Sequence, residues 1–564
     1  MDVTQWIIFF LVIQVLHGLA TWKLYIKADR QAWEAFIPVY NAVILMKIIN
    51  RPWWWTILLF LPIVNLILFP VIWVEIARSY GKNSAVDTFL AIFTFGFYSF
   101  YLNYVAKDIN YIKDRDLQPR TEVGDWVSSI LFAIVAATIV HTYFIQPFVI
   151  PTSSLEKTLL VGDFLLVSKV HYGARAPQTT VALPMIHDAI PGSTTPSYLK
   201  FPQLPKFRFP AFQSIKRNDI VVFNWPVDTL VDINNPYGEV RHKPIDKKTN
   251  YVKRCVGLPG DNLSIKDGYV YINGTKNQLP DRAKLQFFYK VILNGVSPES
   301  IYQKYNITEK YDQYVFKTET ANFNRPQFQN YLKVKKIGVD ITKQDSLQVN
   351  FTANIDQESF NLLKLDIAES QLHVNLTEDL ATIMKSDPDV KSVTKDLSNS
   401  TTENIFPNAP GYTWNRDNFG PIYIPQEGKS IDINVDNLPV YKRLLTAYEG
   451  NTVNVKGNQV LINGRIATSY TFKQDYYWMM GDNRHNSQDA RMWGFVPFDH
   501  VVGKPVFVWM SYDTNGKGIN KIRWNRLFTT VGGNGKLTSY FIPFLIVLAL
   551  FFGYKKFRKN KKTT

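Results

Sequence analysis

Three short stretches of the chain hold residue types that could cooperate in hydrolysis. The first, Ile150 to Asp163, reads IPTSSLEKTLLVGD and offers hydroxyls at Thr152 and Ser154. The second, Tyr251 to Asp261, reads YVKRCVGLPGD and carries Lys253 next to Arg254. The third, Gly481 to Pro497, reads GDNRHNSQDARMWGFVP and gathers Asp482, Asn483, Ser487, Asp489 and Arg491. A serine hydroxyl is a weak nucleophile until a base takes its proton. His485 is the one histidine in these stretches. A lysine can serve instead if burial brings its pKa from about 10.4 towards 7–8. Lys253 suits that role. Strand alternation places it on one face with Tyr251 and Cys255, while Val252, Arg254 and Val256 point the other way. A strand lysine taken alone is far more often solvent-exposed, so the companion stretches carry the reading.

Together with Asp219-Ile-Val-Val-Phe223, and in this order, the stretches resemble the sequence blocks of type I signal peptidases, membrane-bound Ser-Lys proteases. The resemblance covers the apolar segment before Ile150 and roughly residues 145–275 and 470–510. It implies a serine endopeptidase without cofactor that removes signal peptides from exported preproteins after small residues of the A-x-A type. It implies Ser154 as nucleophile and Lys253 as general base, with the oxyanion held by the Ser154 backbone N–H and the Thr152 hydroxyl. Ser487 would orient the lysine, Asp489 and Arg491 would form a bracing ion pair, and Asp482 and Asn483 would shape the adjoining turn. Four positions depart from the family pattern. Leu155 stands for a usual Met, Lys157 for Pro, Cys255 for Ala, and His485 for Asp, so position 485 cannot supply an essential carboxylate.

Lys157 also creates a false lead, because Ser154-Leu-Glu-Lys157 fits the S-x-x-K of penicillin-binding proteins and β-lactamases. Those enzymes need S-D-N and K-T-G as partners, and the chain has neither. Metal chemistry is equally unsupported. Cys255 is the only cysteine, and the eight histidines show no ligand spacing.

The elements that must position these groups include apolar segments. Of 564 residues, 46% are hydrophobic, 15% aromatic and only 20% charged, which excludes a disordered chain. Uncharged runs at 3–22, 53–74, 88–106 and 126–148 and a shorter one at 537–554 predict five membrane spans. Lys and Arg cluster in the 23–52 and 107–125 segments and in the tail 555–564, so the positive-inside rule places these in the cytoplasm. Residues 149–536 then lie outside a cell (inner) membrane crossed several times. The net charge of +16, densest in that tail, points to anionic lipid rather than nucleic acid.

The outside region reads as mainly β. Strands are expected at Phe164–Val170, Asp219–Phe223, Tyr251–Val256, Tyr269–Ile272, Gln459–Ile462, Tyr476–Met480 and Pro505–Met510. Asn273-Gly274 and Asn463-Gly464 mark hairpins. A Pro-rich segment, 173–216, reads as an ordered surface loop. The fold class is thus a multi-span membrane protein with a mainly β extracytoplasmic catalytic domain carrying an inserted α+β subdomain. Its expected parts are a membrane region (1–125), an anchor (126–148), catalytic segments 149–280 and 446–536 around an insert (281–445), a C-terminal helix (537–554) and the basic tail. Preproteins and the bilayer are the expected partners; the first three spans and the insert are candidates to meet the translocation machinery. The insert lies far in sequence from the three stretches and is not expected to build the site. Two other readings remain open here: an inactive peptidase-like envelope scaffold, and a Ser-Lys hydrolase acting on another envelope substrate.

Overall fold

A computed structural model of the chain describes residues 2–119, 121–230, 240–294, 296–307, 309–398 and 404–560. Lys561 and Lys562 of the basic tail lie outside the described residues. Among the described residues two helices are long and apolar enough to cross a membrane, Val3–Lys27 and Glu122–Phe144. The latter ends in a π-helical turn over Val140–Phe144.

The expected spans at 53–74 and 88–106 are not single helices. The first breaks between Trp55–Leu58 and Val64–Ser79, where Pro62 supplies no N–H and Ile63 takes φ +70°. The second bends by 116° between Ala85–Phe93 and Tyr98–Tyr104. That bend runs through Phe95 and Gly96, both at positive φ, and a Cβ on Gly96 would sit 2.5 Å from the Trp73 indole nitrogen. If this bent pair counts as one span, the total is three. Apolar length alone does not register such reversals. Contacts show where the ends go. Glu75 is ion-paired with Arg51 at 3.3 Å and with Arg115. Ile112 N–H donates to the Ser79 carbonyl at 2.9 Å, and Asn50 Nδ2 to the Lys113 carbonyl at 2.7 Å. The chain therefore returns at residues 75–79 to the loop it left at 50–51. At the C-terminus Phe541–Asn560 is helical, with an apolar part, Phe541–Lys555, shorter than the two long helices.

The strand Ile145–Val149 follows Phe144 directly and forms one edge of an eight-stranded sheet. Asp163–Ser168, Val501–Ser511, Ile220–Asn224, Asn250–Gly257, Tyr476–Met480 and Val496–Pro497 follow in order, with Thr529–Thr530 beside Val501–Ser511. All these neighbours are antiparallel. The strands expected from alternation are present, with small differences at their ends. Both Asn-Gly pairs turn hairpins with left-handed φ at both residues, 51° and 84° then 52° and 79°, as a type I′ turn requires. A four-stranded sheet, Phe419–Tyr423, Asn262–Lys266, Tyr269–Ile272 and Thr275–Lys276, packs into the same core around Phe223, Leu263 and Trp478.

The segment expected as one insert divides. Residues 286–395 form a six-stranded sheet with short helices and its own buried clusters. From Ile405 to Leu445 the chain belongs instead to the main β core, because Phe419, Ile422, Ile433 and Leu444 pack there. The stretches 357–369 and 377–392 are each part helix and part strand. The Pro-rich 173–216 folds back on itself through bridges such as Thr179 with Gln203, and meets the break at Ile63 and the first helix, Val3–Lys27. There Ala182 and Tyr198 cluster with Ile63, and Trp6 Nε1 donates to the Gln203 carbonyl at 2.9 Å.

Candidate active site

Ser154 sits in a single 3-10 turn, Ser153–Leu155, that follows the strand leaving the membrane helix. Leu155 pins the turn. It is fully buried among Ile150, Leu165 and Val222, a burial contributing roughly 1.5–3 kcal/mol. Lys157, where Pro would stiffen the chain, adopts φ +66°. Below it Asp163 is fully buried and binds Ser511 Oγ at 2.6 Å and the Arg526 guanidinium, fastening the loop to the sheet.

Lys253 comes from the middle of the Asn250–Gly257 strand and is 4% exposed. Its Nζ lies 2.6 Å from Ser154 Oγ. Burial lowers its pKa to about 8, with Arg491 adding to that and Asp489 and Asp482 opposing it. Arg254, on the opposite face, holds Asp482 through two bonds of 2.7 and 2.6 Å, and Thr158 Oγ1 donates to the same carboxylate at 2.7 Å. Asp489 receives Arg491 Nε and Nη2, both at 2.8 Å, and the Gly481 N–H at 3.0 Å. Both ion pairs are buried, so removing one partner of either would strand a charge at a cost of about 3–5 kcal/mol.

Asn483 is fully buried and reaches back to the serine loop. Its backbone N–H donates to the Ser154 carbonyl and its Nδ2 to the Ser153 carbonyl, each at 3.1 Å. Ser487 Oγ is buried and makes no hydrogen bond among the described residues, so the bond to Lys253 implied by the resemblance is not made here. Gly481 explains the closeness of these pieces: a Cβ there would fall 2.2 Å from Ser487 Oγ and 2.6 Å from the Ser154 carbonyl. Thr152 is exposed at the rim. A cleft of about 950 Å³ runs past Thr152, Ser154, Lys253 and Ser487, with Val252, Ile405 and Met492 supplying apolar wall. Cys255, two residues from Lys253 on the same strand, is fully buried in the core and does not line the cleft, and burial pushes its thiol pKa up.

His485 has no freedom to act as base for Ser154. Its Nδ1 accepts from the Phe288 N–H at 3.0 Å and its Nε2 faces Asp417 Oδ1 at 2.8 Å. This pairing belongs to a wider seam. Gln286 N–H donates to the Asp482 carbonyl at 3.0 Å, and Arg484 N–H to the Gln286 carbonyl at 2.9 Å. The expectation that 281–445 stands apart from the site is therefore wrong. Distance along the chain misled, because strand Gln286–Leu293 extends directly from the catalytic-side turn and Ile405 lines the cleft. Sequence reasoning also left Thr158, Arg254 and Gly481 without roles. Arg254 was findable, since a charge on the core-facing side of an apolar strand needs a buried partner.

The pattern of the family described as signal peptidase, peptidase S26, matches residues 123–335 and 424–510, more than half of the chain. The chain belongs to the signal peptidase S26 family. It is accordingly a signal peptidase I enzyme, a membrane-associated hydrolase. Residues 33–114 match a family of unknown function (DUF5684). The chain is similar to signal peptidase I of Buchnera aphidicola subsp. Acyrthosiphon pisum, 25% identical over 399 residues covering 70% of this chain and 77% of the relative. It is 21% identical to signal peptidase I of Haemophilus influenzae over 429 residues, 76% of this chain and 81% of the relative. A shorter match, 31% over 121 residues, joins it to signal peptidase I of Helicobacter pylori, covering 20% of this chain and 42% of the relative. In this signal peptidase the β domain continues directly from an apolar helix, Glu122–Phe144.

Proposed function

We propose that this enzyme removes N-terminal signal peptides from exported preproteins by a Ser-Lys mechanism, with Ser154 as nucleophile and Lys253 as general base. The observation that carries this is the 2.6 Å contact between a buried lysine and a serine on the wall of the cleft. A neutral Lys253 takes the Oγ proton as Oγ attacks the scissile carbonyl carbon. The resulting oxyanion is held by the Ser154 N–H and the Thr152 hydroxyl. Collapse breaks the C–N bond, the lysine ammonium protonates the leaving amine, and the acyl-enzyme is then hydrolysed by a water that Lys253 deprotonates. Apolar walls at Val252, Ile405 and Met492 suit small side chains one and three positions before the cut. Incubating the purified full chain with a preprotein, wild type beside Ser154→Ala, tests this. Wild type should release the mature chain with a defined new N-terminus and the variant should not. Equal activity, or cleavage of muropeptides in place of preprotein, would overturn it.

Residues 149–536 lie outside and the tail inside, in a chain crossing three times: Val3–Lys27, Glu122–Phe144 and the C-terminal helix. The segments 53–79 and 85–104 are hairpins that return to the cytoplasmic side in this topology, and the tip of the first, Ile63, reaches Ala182 and Tyr198 of the outer region. Its support is the contact of Glu75 with both Arg51 and Arg115 and of Ser79 with Ile112, together with the Lys/Arg asymmetry. Replacing two crossings by two hairpins leaves the sidedness of everything else unchanged. A small inserted tag after Asn83 should be reachable only from the cytoplasmic side, and one near residue 330 only from outside. Outside labelling at Asn83 would restore the five-span arrangement.

A further inference from the structure

We propose that Glu309 and Asn375, both contributed by the six-stranded sheet region, are positioning residues that orient the Asn483 carboxamide and through it the Ser153 and Ser154 peptide units. Glu309 immediately precedes strand Lys310–Glu319, and Asn375 lies near the end of Asp366–Thr377. Asn375 is 5% exposed. The inference rests on the Ser-Lys reading above and deepens it.

Three side chains are joined by hydrogen bonds, while Asn375 Oδ1 is buried with no partner among the described residues. Asn483 Nδ2 donates to the Ser153 carbonyl and to Glu309 Oε2, each at 3.1 Å. Asn375 Nδ2 donates to the same Glu309 oxygen at 2.9 Å and to Asn483 Oδ1 at 2.5 Å. An ionised carboxylate only accepts, whereas each carboxamide has a donating and an accepting end. Glu309 therefore forces both amides to turn their NH2 groups towards it. With Asn483 held that way, its second N–H has one direction left, the Ser153 carbonyl, while its backbone N–H holds the Ser154 carbonyl. Without Glu309 and Asn375 the Asn483 amide could flip and present an oxygen to the Ser153 oxygen. The serine loop would then shift relative to Lys253. Asn375 lies in the stretch 336–423, between the two segments that the family pattern matches. The Asn375 bonds are therefore ones that the matched segments alone do not contain, whereas Glu309 and Asn483 lie inside those segments.

The test measures kcat and KM for one preprotein with the purified full chain. Wild type, Ser154→Ala, Glu309→Ala, Glu309→Gln and Asn375→Asp are compared. Glu309→Ala should lower kcat by about 100-fold with KM little changed, because the loop and not the cleft is disturbed. Glu309→Gln should recover most of kcat, since its carbonyl oxygen can accept both bonds. Asn375→Asp should be at least as damaging as Glu309→Ala, because it sets a carboxylate against Glu309 and against Asn483 Oδ1. If Glu309→Ala does not fold, the contrast between Glu309→Gln and Asn375→Asp carries the test. Unchanged kcat in Glu309→Ala, or Glu309→Gln as impaired as the alanine, would overturn the positioning role. Wild type no more active than Ser154→Ala would sink the Ser-Lys reading itself, and this inference with it.

Discussion

Replacing Lys253 by arginine should abolish preprotein cleavage, a loss on the order of 10⁴-fold, near the top of what a general base contributes. A guanidinium stays protonated and cannot take the Ser154 proton. Lys253→Ala and Ser154→Ala should be at least as severe, because the pair works as a unit and neither half retains a mechanism alone. His485→Ala gives the informative contrast. Its ring is fixed between the Phe288 N–H and Asp417, so its loss should cost stability, about 1–3 kcal/mol, with turnover retained. A dead histidine variant beside an active Lys253→Arg would make His485 the base. The pH profile carries the same argument. Burial brings Lys253 to about 8, and only the neutral amine accepts a proton, so kcat/KM should rise through about pH 8 and level off above it. Stability has the same sign. Between about 8 and the ordinary lysine value of 10.5 the unfolded chain keeps a proton that the folded chain has released, so stability should rise with pH across that window. Lys253→Met should remove this rise, which a denaturant titration at several pH values would reveal.

Deleting residues 286–395 should lower cleavage of even a short peptide by about 100-fold or more, since the serine loop loses its alignment. The ends are suited to such a deletion. The Asp396 N–H donates to the carbonyl of Phe288 at 2.9 Å, a residue close in sequence to the Leu285 end, so a Gly/Ser link of a few residues can join Leu285 to Asp396. What disappears is the seam against the turn at 482–485: the Gln286 bonds, the Phe288 N–H to His485, and the Asn375 and Glu309 bonds to Asn483. The arginine pairs of Asp482 and Asp489 lie outside the deleted segment and should let the main β core fold. Near-UV circular dichroism would establish that folding, and the peptide assay would then decide. A folded deletion protein with full peptide activity would make the six-stranded sheet an appendage.

The sequence by itself determined the pieces governed by local pattern. Alternating apolar residues specified the strands of the main sheet, and Asn-Gly pairs specified two hairpins, because both depend on near neighbours. The resemblance of three motif stretches, in order, to the blocks of type I signal peptidases pointed to Ser154, Lys253 and the Asp489–Arg491 pair. Tertiary structure alone decided three further matters. Apolar run length measures what lipid can cover and not direction, so the reversals at Ile63 and Phe95-Gly96 stayed hidden in 53–74 and 88–106. The partners of a buried charge depend on which strands become neighbours, so Arg254 found Asp482 and Ser487 Oγ found none among the described residues. Most of all, the relation between the 286–395 sheet and the site rests on hydrogen bonds between residues more than a hundred positions apart, such as Asn375 and Asn483. No periodicity or spacing in the chain encodes such a pairing, because it exists only once both sheets have formed and the ends of inner strands of one meet the turn at 482–485.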